Sequence, residues 1–201
     1  KYFPAAVKAA IEARLEAKEG DLLLFVADVP AVACTAMGQV RLNLAEREGL
    51  IAEDTYGLTW VTDFPLLEYD IEAGRFAAMH HPFTAPKEED IPLLAADPGK
   101  VRARAYDLVL NGTEIGGGSI RINRRDVQQA VFEALKITPA EAEEKFGFLL
   151  EALEFGAPPH GGVAFGFDRL VAILCGAKSI REVIAFPKTQ KAACLVTKAP
   201  S

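Results

Sequence analysis

Apolar positions along this chain switch between two periods. From Tyr2 to Lys18, Ala6, Val7, Ala10, Ile11 and Leu15 recur at helical spacing, with Pro4 suited to a first turn. Asp21 to Val26, apolar from Leu22 on, reads as a strand, and Pro30 to Glu48 reads as an amphipathic helix stopped by Gly49. A helix-strand-helix unit is therefore expected at the amino end, joined to the rest of the chain near Glu53 to Gly57. Beyond it, Asn111-Gly112 stands between two apolar runs, the strongest short-range hairpin signal, so Arg104 to Leu110 should pair antiparallel with Thr113 to Arg121. Val163 to Phe165 reads as a short strand, and Asp168 to Leu174 as a helix ending at Gly176. Thr138-Pro139-Ala140-Glu141 is a capping box that starts a helix running toward Glu154, and Ser179-Ile180-Arg181-Glu182 repeats the signature before Pro187. The expected architecture is α+β: an antiparallel sheet backed by helices, with a small mixed module at the amino end.

Composition adds limits. Half of the 201 residues are apolar, enough for a substantial core in one large and one partial smaller domain. A net charge of -6 argues against a simple nucleic-acid-binding surface, although local patches can still contact RNA. Cys34, Cys175 and Cys194 are odd in number and lack metal spacing, so reduced and mostly buried thiols in a cytoplasmic protein are expected. No stretch reads as a signal peptide or membrane span.

The hairpin carries candidate chemistry. A two-residue turn sets Leu110 opposite Thr113, Val109 opposite Glu114 and Leu108 opposite Ile115. Tyr106, Leu108, Leu110 and Ile115 then share one face, and Asp107, Val109 and Glu114 the other. Asp107 and Glu114 become diagonal neighbours, roughly 7 to 8 Å apart at the backbone, close enough to share a divalent cation such as magnesium on a polyphosphate. Arg121 follows Glu114 at an odd offset, which places the two on opposite faces unless a bulge within Gly116 to Gly118 corrects the parity. For an isolated hairpin, solvated acids on a glycine-rich strand remain the plainer reading.

A second constellation, Pro158-Pro159-His160-Gly161-Gly162-Val163-Ala164-Phe165-Gly166-Phe167-Asp168-Arg169-Leu170, turns a strand into a helix at glycine. Backbone donors and the Arg169 guanidinium could hold a phosphate or a flat base there. Neither of the common nucleotide loops, G-x-x-x-x-G-K-[ST] or a G-x-G-x-x-G after a strand, is present. Asp168-Arg169 alone could equally be a helix-start carboxylate beside a surface arginine. Adjacent His80 and His81 point to opposite faces of a strand and lack accompanying ligands, which argues against zinc. His160 reads as a loop residue.

Taken together, the G-x-x-x-G-x-D-R run resembles motif 3 of the class II aminoacyl-tRNA synthetases, in the version of the bacterial aspartyl-tRNA synthetases. Trp60 to Pro65, Ala78 to Thr84, Glu114 to Arg121, Lys145 to Leu150 and Ile184 to Thr189 resemble that family in its order. The amino-end run Gly20 to Asp28 resembles its insertion domain. The resemblance implies residues 1–57 as the later part of that domain, and 58–201 as the motif 3 half of a catalytic domain whose sheet is incomplete.

It also implies roles. Glu114 matches the ATP and magnesium ligand, with Asp107 a second carboxylate near the metal. Arg121 matches the arginine that holds the substrate side-chain carboxylate, and His80 the histidine that closes over bound aspartate. Gly166, Phe167, Asp168 and Arg169 match the lining of the ATP site. The implied activity is ATP-dependent ligation of L-aspartate to tRNA(Asp) through an aspartyl-adenylate, with Mg2+ and without a protein nucleophile. Two alternatives stay open: a non-catalytic module that binds aspartate or nucleotide, and a parent enzyme that charges tRNA(Asn) as well. Motifs 1 and 2 and the anticodon-binding barrel have no counterpart here. The chain is therefore expected to be a fragment, inactive alone, of a cytoplasmic enzyme that is a homodimer at full length.

Overall fold

The computed structural model describes residues 3–52, 55–189, 192–194 and 196–197; Tyr2, Glu53 and Asp54, at the expected first-helix start and domain join, lie outside them. The chain divides into two compact units, 1–55 and 56–201.

In the first unit, helix α1 spans Ala5–Arg14 and helix α2 spans Pro30–Arg47. Pro4 immediately precedes α1, and Gly49 lies just past α2 with φ of 63°, the left-handed conformation that ends helices at glycine. The expected strand at Asp21 to Val26 does not form: residues 21–27 are irregular. An apolar run becomes a strand only where another strand takes its backbone hydrogen bonds, and among the described residues of this unit none does. Neither helix contains a buried residue. The expectation of mostly buried thiols fails with them: Cys34 sits in the uncovered α2, Cys175 is exposed as well, and Cys194 alone is buried.

The second unit is built on a four-stranded antiparallel sheet of order β1-β4-β5-β6, from Leu58–Thr62, Ala105–Leu110, Thr113–Ile120 and Gly161–Phe165. Strands β2 (Leu67–Asp70) and β3 (Arg75–Ala78) form a separate hairpin. Asn111 and Gly112 both have positive φ, 49° and 79°, as a type I′ turn requires between β4 and β5. After the short helix α3 (Leu93–Ala96), helix α4 (Arg125–Ala134) buries Val127, Gln128, Val131 and Phe132 on one side. With Leu66, Leu67, Ala85, Leu94, Val101, Ala103, Ala105, Ile122 and Leu135, Val127 and Val131 make the main core. A second cluster joins Phe83, Phe132 and Ala142, with the Phe146 ring of helix α5 (Pro139–Glu154) 5.2 Å from Phe83. Both expected capping boxes form, at Thr138 with Glu141 and at Ser179 with Glu182.

The β4–β5 register corrects one expectation. Leu110 faces Thr113 and Val109 faces Glu114, but Leu108 faces Gly116, so the extra residue is Ile115 and the bulge precedes the glycines. Ile115 is buried, and the glycine run then pairs regularly with β6. Close packing explains why the glycines stay in register. A Cβ on Gly118 would run into the Gly162 carbonyl and stand 3.0 Å from the Tyr106 ring, while one on Gly117 would displace the Asp107 carboxylate. Moving the irregularity one step earlier leaves both approaches intact and still restores parity.

Candidate functional site

Because of that bulge, one face of the sheet carries Val109, Glu114, Asp107, Gly117 and Ser119 in register, and Arg121 continues the alternation onto it. Glu114 Oε1 lies 3.5 Å from where a Gly117 Cβ would stand, so both carboxylates lean over the same glycine. Burial, and after it the Glu114 charge, raises the Asp107 pKa above its ordinary value, with His80 pulling the other way. Two like charges crowded on a floor without side chains favour a bound cation, and one or two carboxylates with phosphate oxygens are the usual magnesium environment. Among the described residues no group of three or more metal-ligating side chains is present, so the pair needs further ligand atoms from a substrate or water.

The strand-to-helix turn reaches the same place. Gly166 N–H donates to the Ile115 carbonyl at 2.8 Å and caps helix α6 (Phe167–Leu174). In the first turn of α6, Arg169 Nη1 donates to the Glu114 carbonyl at 3.0 Å and lies 3.6 Å from Glu114 Oε2. Phe167 is 74% exposed, an open ring beside the turn, and Asp168 lies in the first turn of α6. His160 Nδ1 pairs with the Pro158 carbonyl at 2.8 Å within its loop, and the His160 carbonyl accepts from Arg121 N–H.

Arg121 is also gripped from its other side. Ile122 N–H donates to the Phe83 carbonyl, Ala85 N–H to the Ile120 carbonyl, and Thr84 bridges Arg121, so residues 83–85 run antiparallel to 120–122. That pairing carries the histidines to the site. They occupy a bend after β3 rather than a strand. The His80 ring stands edge-on to Phe64 at 4.9 Å, and His80 is the histidine felt by Asp107. His81 accepts from Phe83 N–H at Nδ1, and burial, then the Arg121 charge, lowers its pKa. Gln128 of α4 fastens this bend by donating to the Pro82 carbonyl at 2.9 Å.

Arg121 itself is half-buried and forms no ion pair among the described residues, whereas Arg102, Arg124, Arg125 and Arg169 all meet carboxylates. The expected residues His80, Asp107, Glu114, Arg121, Gly166 and Arg169 are therefore brought to one region of the second unit. Thr84, Ser119 and Gln128 reach this region through pairings between distant segments, which leave no local signature in the sequence.

Comparisons with known proteins give the family and the fold. The profile of tRNA synthetases class II (D, K and N) matches residues 7–190, and the chain belongs to that family. Aspartate--tRNA(Asp/Asn) ligase of Halothermothrix orenii is 59% identical over 95% of this chain and 32% of its own length. That of Geotalea uraniireducens is 57% identical over the whole chain and 34% of its length. The chain thus spans about a third of the curated relatives it matches. Among solved structures, an aspartyl tRNA synthetase from Entamoeba histolytica superposes with a TM-score of 0.50 at 22% identity, over 92% of this chain and 31% of that one, a likeness of fold. The expected α+β fold, an antiparallel sheet with flanking helices, is the one found.

Proposed function

We propose that this chain is the motif 3 part of an aspartate-tRNA ligase: ATP and L-aspartate condense to aspartyl-adenylate with release of pyrophosphate, and the aspartyl group then passes to the terminal ribose of tRNA with release of AMP. The observation that carries this reading is Arg121, a half-buried guanidinium without a described counter-charge, on the same sheet face as the Asp107 and Glu114 carboxylates. A guanidinium takes a carboxylate in a two-pronged fork, whereas the amide of asparagine would turn donors toward donors. His80, at the bend beside this face, would close over the bound aspartate. Asp107 and Glu114 would hold magnesium, which supplies charge neutralisation on the phosphates when bound. Gly166, Phe167, Asp168 and Arg169 would line the nucleotide, with Arg169 anchored to Glu114 and thereby fixed relative to the metal ligands. Rate enhancement of this kind comes from positioning and charge stabilisation, with no protein nucleophile.

Residues 1–57 we read as the later part of the bacterial insertion domain, and the parent enzyme as a cytoplasmic homodimer. No described helix is long and apolar enough to cross a membrane. The relatives' names favour a parent that charges both tRNA(Asp) and tRNA(Asn), which aminoacylation of each tRNA by the full-length protein tests. The residue assignment is tested in the same protein by ATP-pyrophosphate exchange. Arg121→Leu is expected to abolish aspartate-dependent exchange with ATP binding nearly intact, and Glu114→Ala to impair magnesium-dependent ATP use. Normal exchange by Arg121→Leu at ordinary aspartate concentration refutes the assignment.

A further inference from the structure

We propose that Thr84 and Ser119 are positioning residues for Arg121: two buried hydroxyls that fix the guanidinium in the orientation that receives a carboxylate. The inference rests on the proposed role of Arg121 as the receptor for the aspartate side chain. Thr84 is 1% exposed and Ser119 5%, which makes them two of the four buried polar side chains among the described residues. A hydroxyl in such a place is costly unless hydrogen-bonded. Their partners are each other and the arginine: Thr84 Oγ1 lies 3.4 Å from Ser119 Oγ and accepts from Arg121 Nη1 at 3.4 Å.

The backbone explains how the three meet. Thr84 stands opposite Arg121 in the bridge between the histidine segment and the end of β5, and Ser119 is two residues before Arg121 on the same face. Backbone bonds from Arg121 N–H to His160 and from Ile122 N–H to Phe83 fix where the side chain begins. They leave its rotatable stem free, and a free guanidinium samples orientations in which its fork misses the ligand. Holding Nη1 on a hydroxyl removes that freedom without spending the arginine's charge, since a hydroxyl gives no counter-ion. A carboxylate in the place of Thr84 would neutralise the receptor; a valine would fill the same volume and hold nothing. The remaining donors stay available for the substrate.

The test uses the full-length protein that carries this segment, in aspartate-dependent ATP-pyrophosphate exchange. Thr84→Val is expected to raise the KM for aspartate about tenfold, with the KM for ATP unchanged and kcat within about threefold. Thr84→Ser should restore the aspartate KM, because the hydroxyl and not the methyl group holds the arginine. Ser119→Ala should shift the same KM by about threefold, and it decides the matter if Thr84→Val fails to fold. An unchanged aspartate KM in soluble Thr84→Val, or in Ser119→Ala where it decides, overturns the proposal. So does a loss that Thr84→Ser does not reverse, or a parallel rise in the KM for ATP. Arg121→Leu separates the two readings: if it exchanges normally the receptor role of Arg121 falls, and with it the positioning role; if it is dead while Thr84→Val is normal only the positioning role falls.

Discussion

Helices α1 and α4 are each ten residues long, and both carry apolar side chains at helical spacing, yet they live in different circumstances. Helix α1 contains no buried residue, and the longer α2 contains none either; α4 buries four, against two hydrophobic clusters and the bend that holds the histidines. Among the described residues, the one ion pair with a buried carboxylate lies in the second unit. Lys8 with Glu12 and Arg47 with Glu48 join exposed side chains, while Arg102 meets an Asp90 that is 6% exposed. Periodicity marks which residues could form a face, but only a partner surface converts that face into stability. All of the assigned site chemistry lies in the unit that has such a partner surface.

The contrast is broken most directly by truncating one leucine in each unit. Leu67 is 2% exposed in the main core, and Leu67→Ala is expected to cost about 2 to 5 kcal/mol. Leu42 in α2 is 55% exposed, and Leu42→Ala should stay within about 0.5 kcal/mol. Urea unfolding of the two variants measures both. Equal losses would mean that the amino unit has a core after all.

The same contrast sorts what could be read in the chain. The Asn111-Gly112 turn, the Thr138 and Ser179 capping boxes and the Gly166 helix start are local, with their partners only a few residues away, and all appear as expected. The strand at Asp21 to Val26 was an apolar run without a partner, and residues 21–27 are irregular. Parity between Glu114 and Arg121 required a bulge, which the sequence could require but not position. Its location at Ile115 depends on what packs against Gly117 and Gly118, namely the Asp107 carboxylate and the Gly162 carbonyl. The Thr84 and Gln128 contacts to the site come from segments roughly 40 residues away.

A smaller effect should appear in acid. Two side-chain hydrogen bonds and a backbone N–H from Arg102 hold the Asp90 pKa down from 3.8 to about 2. A depressed carboxylate contributes stability that is fully present above its unfolded value and is lost as pH falls toward its folded one. The window here is therefore about pH 4 down to pH 2. Asp90→Asn should lower the urea midpoint at pH 7 and flatten its fall across that window, while Glu12→Gln, which breaks only the exposed pair with Lys8, should leave the pH 7 midpoint unchanged. A steep acid loss that persists in Asp90→Asn would assign it to other carboxylates.

The finest difference lies at one helix start, since α5 of the second unit has a side-chain cap and neither helix of the first unit does. Helices α1 and α2 follow Pro4 and Val29, and neither has a side chain that caps the free N–H groups. Helix α5 follows Thr138, whose Oγ1 accepts from Glu141 N–H at 3.3 Å while Glu141 Oε2 accepts from Thr138 N–H at 2.9 Å. Removing the hydroxyl in Thr138→Ala leaves one donor of the first turn to water and frees the Glu141 side chain, at a cost of about 1 kcal/mol. Thr138→Ser keeps the oxygen and should lose only a few tenths. Val29→Ala removes no cap and should change nothing measurable in the same urea titration. A loss of equal size at both positions would show that the capping box contributes no more to α5 than an uncapped start contributes to α2.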